Sequence, residues 1–271
     1  MNELSTLKQS DRMPVLFVGH GSPMNAIEDN EYRRAWQALG AEFGTRLPWP
    51  RLILCISAHW LTSGWWLTGM EKPRTIHDFG GFPPELYAQQ YPAPGAPAAA
   101  GEISGVIAQP KVGLDQEWGL DHGAWSVLKP MFPAGDIPVV QLSMDYSRPP
   151  AEHLALGRQL RQLRDRGVLV VGSGNIVHNL RAARFDAAAN QAYDWAVEFD
   201  SKVAGSMERG DLAALADFQQ LGQVAQLAHP TYDHYLPLLY AAGAADPGEP
   251  PRFFNTGYQA ASISMRSAVW G

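Results

Sequence analysis

Residues 168–178 read VLVVGSGNIVH: an unbroken apolar run, a glycine-flanked turn, then a histidine. Two earlier stretches share the plan, PVLFVGH (14–20) ending on His20 and LILCISAH (52–59) ending on His59. Short apolar runs bounded by turn signals are consistent with fully buried strands. Strands buried on both faces belong to largely parallel sheets covered by helices. In an open α/β sheet, ligands bind in the crevice outside the carboxyl ends of the strands. Imidazoles carried past several such ends can meet there, and neutral imidazole is the commonest protein metal ligand. Three of the eight histidines stand in such positions, which points to a metalloenzyme.

Helical patterns fill the intervals. Tyr32, Trp36, Leu39 and Phe43 form one face of an amphipathic helix. Pro149 and Pro150 introduce a helix reaching about Arg166, with Gly167 as its stop and His153 on a solvated face. Ala196, Phe199, Val203 and Met207 predict a helix over residues 193–207. PVVQLSM (138–144) is a further strand, and YQAASISMRSAVW (258–270) alternates as a final one. Alternating strands and helices predict an α/β fold: a single domain with a central, largely parallel or mixed sheet flanked by helices. It is expected to span residues 13–271 behind a flexible N-terminal segment, 1–12. Residues 72–97 are too rich in proline and glycine for regular structure throughout, and loops this long often wall a site.

The 271 residues suffice for one large core. A net charge of −6 and the lack of a basic stretch argue against a nucleic-acid partner. No apolar run is long enough to span a bilayer, and the polar start lacks a signal-like apolar segment, so a cytoplasmic protein without membrane contact is expected. The lone Cys55 lies within an apolar strand and reads as inert core.

A single histidine after a strand is usually a hydrogen-bonded turn residue, and His229 before Pro230 reads that way. The joint pattern is more specific. Gly19 and Gly21 bracket His20, glycines precede His178, and Trp60 follows His59. PTYDHYLPLLY (230–240) sets His234 in the first turn of an apolar helix, with Thr231 or Asp233 as its cap. Four such histidines without a cysteine cluster suggest a mononuclear site with open positions. No dinucleotide fingerprint, phosphate loop, GxSxG elbow or HExxH helix is present. A Ser/His/Asp hydrolase around Asp121 and His122 is a weak third choice.

LFVGHGSPMNAIEDN (16–30), SAHW (57–60), TIHDFGGFPPELY (75–87), YPAPG (91–95), WGLDHGAW (118–125), GSGNIVHNL (172–180) and PTYDHYLPLLY together resemble the 4,5-DOPA extradiol dioxygenase family, among the class III extradiol ring-cleaving dioxygenases. The resemblance runs from about Met13 to the C-terminus. It implies a metal centre at His20, His59 and His234, with His178 as catalytic acid/base and close enough to be a fourth ligand. It places His122 beside substrate or oxygen, and His77, Phe79 and Phe82 in the substrate pocket. The broader class uses two histidines and a glutamate, a triad typical of non-haem Fe(II) oxygenases; here His234 stands in the third position. One divalent metal per chain follows, Fe(II) for catalysis, although the same donors suit Zn(II). The expected partners are a catechol such as DOPA and O2, and the product a muconic semialdehyde, in a monomer or small homo-oligomer. The competing readings are a zinc-dependent hydrolase and a non-catalytic metal-binding relative.

Overall fold

The computed structural model describes residues 6–271. Its central sheet contains β1 (Val15–Gly19), β2 (Leu52–Ser57), β3 (Val139–Gln141), β4 (Val168–Gly174), β5 (Arg252–Phe254) and β6 (Ser267–Trp270). In space the order is β3-β2-β4-β1-β6-β5. The first four run parallel, whereas β6 is antiparallel to both β1 and β5. The sheet is therefore mixed, with β4 at the centre of its parallel half.

Strand side chains alternate between two cores. Val15, Phe17, Leu54 and Val170 face one side, while Leu16, Val18, Cys55 and Val171 face the other. The longer helices are α1 (Glu31–Glu42), α2 (Pro97–Val106), α3 (His122–Met131), α4 (Pro150–Leu160), α5 (Asp194–Glu208) and α6 (Leu236–Ala244). Helices α4, α5 and α6 cover the first face, and α1 and α3 the second. This is the flanked α/β sheet that the apolar runs imply. Among the described residues, no helix is long and apolar enough to cross a membrane.

Three local readings are corrected. The helix begun by Pro150 loosens after Leu160 into a 3-10 stretch, Arg161–Arg166, before Gly167 stops it at φ 74°. The expected final strand is broken into three short pieces: Ala260 and Ala261 take left-handed backbone (φ 48° and 61°) and turn Tyr258–Gln259 back against Ile263–Ser264, and Ser267–Trp270 alone joins the central sheet. His153 is not solvated but fully buried. Of the N-terminal segment 1–12, residues 1–5 lie outside the described residues. Beyond them, the Ser10 amide donates to the Asp165 carbonyl (2.9 Å) and Arg12 pairs with Asp165 and Asp246 (2.6 Å each).

His153 sits in a polar relay within the apolar layer. Trp65 Nε1 donates to the Tyr240 hydroxyl (2.8 Å), which in turn hydrogen-bonds with His153 Nδ1 (2.7 Å). Burial pushes His153 down to about 4 from an ordinary 6.5. Below about pH 6.5 the unfolded chain thus binds a proton that the folded chain refuses until about pH 4. The contribution is complete above that range and is lost as pH falls, by about 1 kcal/mol between roughly pH 7 and 5.5. Urea unfolding of His153→Gln should show a pH dependence flatter by that amount. An unchanged slope would remove His153 from the acid sensitivity of the fold.

Candidate metal centre

The carboxyl end of β4 assembles the site. The His20 amide donates to the Gly174 carbonyl and the Ala58 amide to the Ser173 carbonyl, both at 3.0 Å. The Asn175 amide donates to the His234 carbonyl at 2.8 Å. Residues far apart in sequence are thereby held to one strand end. Glycine is needed at 174 because a Cβ there would run into the His234 carbonyl oxygen.

His20, His59 and His234 each offer one ring nitrogen, all within 4.8 Å of one another. The Nε2 atoms of His59 and His234 are 3.2 Å apart. The hydrogen-bond network determines the tautomers. Ser173 Oγ spends its proton on the Gly123 carbonyl (2.5 Å), so it accepts from His20 Nδ1 (3.1 Å). Ser57 Oγ spends its proton on Asp121 (2.6 Å), so it accepts from His59 Nδ1 (3.4 Å). Asp233 Oδ2 accepts from His234 Nδ1 at 2.5 Å. All three Nδ1 atoms therefore carry protons toward the protein and leave lone pairs on Nε2. Converging imidazole lone pairs, each backed by an outer partner, are the arrangement a metal-binding histidine set requires. The donors fit a divalent ion.

Carboxylates surround this centre without entering it. Asp121 is fully buried and also accepts from Gln141 (2.8 Å) and Trp118 (3.3 Å). Burial alone would raise its pKa, but His59, Gln141 and Ser57 together hold it well below the ordinary range. His59 shows the same field from the other side: burial lowers it, yet Asp121, Asp78 and Asp233 push it up on balance. Burial first, then the neighbouring histidines, push His20 and His234 well down.

His178 and His122 flank the three. The His178 ring stacks on His234 (centroids 3.5 Å apart, planes at 5°) and makes no side-chain hydrogen bond among the described residues. Burial and His229 lower it to about 3. His122 stacks on His59 (3.9 Å), with Nδ1 3.0 Å from Asp78 Oδ2. A cavity of about 1180 Å³ opens over the group, lined by all five histidines together with Phe79 and Phe82. His77 is not on that lining. Its Nε2 lies 2.9 Å from the Gln89 carbonyl, and its ring packs behind Phe79, so it braces the wall.

The outer layer is not evident from the sequence alone: Asp78 carries no motif of its own, Asp121 reads only as a triad member, and Asp233, like Thr231, reads as a helix cap. Helix α6 instead begins after Tyr235, with no side-chain cap. The signal present was the carboxylate adjoining a histidine in HDF, LDH and YDH. His229 is buried, with Nε2 2.6 Å from the Ile176 carbonyl, and serves the turn after β4.

A family model for the catalytic LigB subunit of aromatic ring-opening dioxygenase matches residues 14–269. The chain belongs to this family. An Escherichia coli K12 relative named 4,5-DOPA dioxygenase extradiol is 47% identical, covering 98% of this chain and 97% of its own. One of the same name from Beta vulgaris is 36% identical over 84% and 85%. The crystal structure of an uncharacterized Escherichia coli K12 protein, 43% identical, superposes with a TM-score of 0.82 over 96% of this chain and all of its own. This LigB-family chain is thus an extradiol ring-cleaving dioxygenase, an oxidoreductase of a metal-dependent family that joins a small molecule to O2.

Gly174→Ala should displace the His234 segment and cost about 1–3 kcal/mol, the usual range for overpacking. Gly101→Ala, on the exposed side of α2 with nothing near its Cβ position, is the control. Thermal melting separates them; equal melting temperatures would refute the close approach at Gly174.

Proposed function

We propose that this dioxygenase opens the ring of a catechol such as DOPA between a hydroxyl-bearing carbon and its unsubstituted neighbour. The product is a muconic semialdehyde of the 4,5-seco-DOPA type. The observation that carries the reading is the convergence of three Nε2 lone pairs on the floor of a cavity walled by aromatic rings. His20, His59 and His234 are the proposed ligands of one divalent ion, Fe(II) in the working enzyme, though Zn(II) suits the same nitrogens. Bound there, Fe(II) supplies the one-electron chemistry toward O2 that no side chain of the chain provides.

The chain's own residues do the rest. A catechol reaching the floor loses a proton from a hydroxyl, and His178 is the acceptor. Its low proton affinity keeps it neutral before substrate arrives, and its ring lines the cavity. Stacked face to face on His234 and outside the trio whose nitrogens lie within 4.8 Å of one another, it serves as base and then as acid rather than as a fourth ligand. His122, steadied by Asp78, is the second proton carrier at the same wall. Phe79 and Phe82, 5.3 Å apart in an edge-on pair, contact the ring face and keep water from it.

Metal-stripped protein, reloaded anaerobically with Fe(II) and then given air and DOPA, should consume oxygen and form a yellow product. Full iron loading without product across a catechol panel would defeat the substrate assignment. His178→Ala should lose about 10²–10⁴-fold in turnover, the usual worth of general acid–base assistance, while binding iron normally. Wild-type turnover in that variant would take the proton role away from His178.

A further inference from the structure

The three proposed ligands differ in what stands behind them. Behind His20 is a neutral hydroxyl, Ser173. Behind His59, the carboxylates of Asp121 and Asp78 lie 3.6 and 3.7 Å from Nδ1, beyond hydrogen-bonding distance. Asp121 is moreover divided among Ser57, Gln141, Trp118 and the Ala124 amide. Of the three, His234 alone has a carboxylate in direct contact, Asp233 Oδ2 at 2.5 Å. Asp233 makes no other hydrogen bond among the described residues. It does not cap α6, so the imidazole is its sole hydrogen-bond partner.

Three neutral imidazoles leave a divalent ion its full charge, whereas the two-histidine, one-carboxylate triad offsets one unit of it. A carboxylate accepting the N–H of a ligating histidine fixes the ring's tautomer and raises its basicity as a ligand. We propose that Asp233 is a positioning residue of the metal centre. It holds His234 with Nε2 toward the cavity and lends the site, through the imidazole, the anionic character that a ligating carboxylate would bring. Asp233 and His234 then act as one ligand unit, and the open positions stay free for substrate. This inference rests on the metal reading above.

Metal-free wild type, Asp233→Asn and Asp233→Ala are titrated with Co(II) and with Zn(II) against a chromophoric chelator. Wild type should take up one equivalent. Asp233→Asn keeps an acceptor and loses only the charge, so it isolates the electrostatic part; it should bind about 10–100-fold more weakly, the usual effect of removing such a partner. Asp233→Ala should weaken binding at least as much and also change the visible Co(II) spectrum, as His234 loses its orientation. Melting of the metal-free variants should match wild type, since no cap or backbone contact is removed. Wild-type affinity in Asp233→Asn overturns the proposal. Failure of wild type itself to bind one equivalent overturns the metal reading instead, and the two results are distinguishable.

Discussion

Everything at the site hangs on the carboxyl end of β4. Gly172, Ser173 and Gly174 close the strand where three other chain segments reach it through backbone hydrogen bonds, and each segment brings a histidine. Side chains there would hold α6 and the His234 segment away from the sheet. Ser173 is the small exception, and its hydroxyl is used twice, toward Gly123 and toward His20. A parallel sheet supplies such a point wherever adjacent strands end together. Here β1, β2 and β4 do so, and the fourth element arrives from a helix start.

The same strand end explains why the histidines can be both buried and reactive. Burial disfavours the charged imidazolium, and a cluster of imidazoles disfavours it further. His20, His178 and His234 are all pushed down for these reasons. They remain neutral, with lone pairs available, across the range in which an enzyme works. At His20 and His234, a serine and an aspartate on the protein side then decide which nitrogen holds the proton.

Much of this was legible from residue order. Buried strands declare themselves as apolar runs, and an imidazole just past such a run needs no long-range information to be placed at the sheet's ligand-binding end. His20, His59 and His178 were readable in that way. His234 was found by its motif, but its setting was misread, since Asp233 looked like a cap by position alone. Whether an Asx side chain turns to a helix amide or to the next imidazole is decided by where the backbone leaves the preceding loop. His153 failed for a related reason. Its helix is covered on a wider arc than its leucines suggest, and the Tyr240 hydroxyl that meets its Nδ1, itself bonded to Trp65, comes from a distant segment. The first break in the C-terminal strand depends on two alanines in left-handed backbone, which alternation of residue types does not encode.

The outer carboxylates complete the electrostatic logic. A carboxylate bound directly to a metal would neutralise charge but take a coordination position, and a ring cleavage that brings substrate and O2 together needs those positions open. Moving the negative charge one layer outward keeps the field and frees the positions. The raised affinity of His59 for a proton, in surroundings that otherwise lower it, registers that field at the centre of the cluster. Asp121 is spread over several donors and anchors the β2–β3 side; Asp78 steadies His122 and the cavity wall; Asp233 has one partner alone. Three aspartates adjoining the site thus have three separable settings, and the one with the fewest structural bonds is the one we assign to the metal centre.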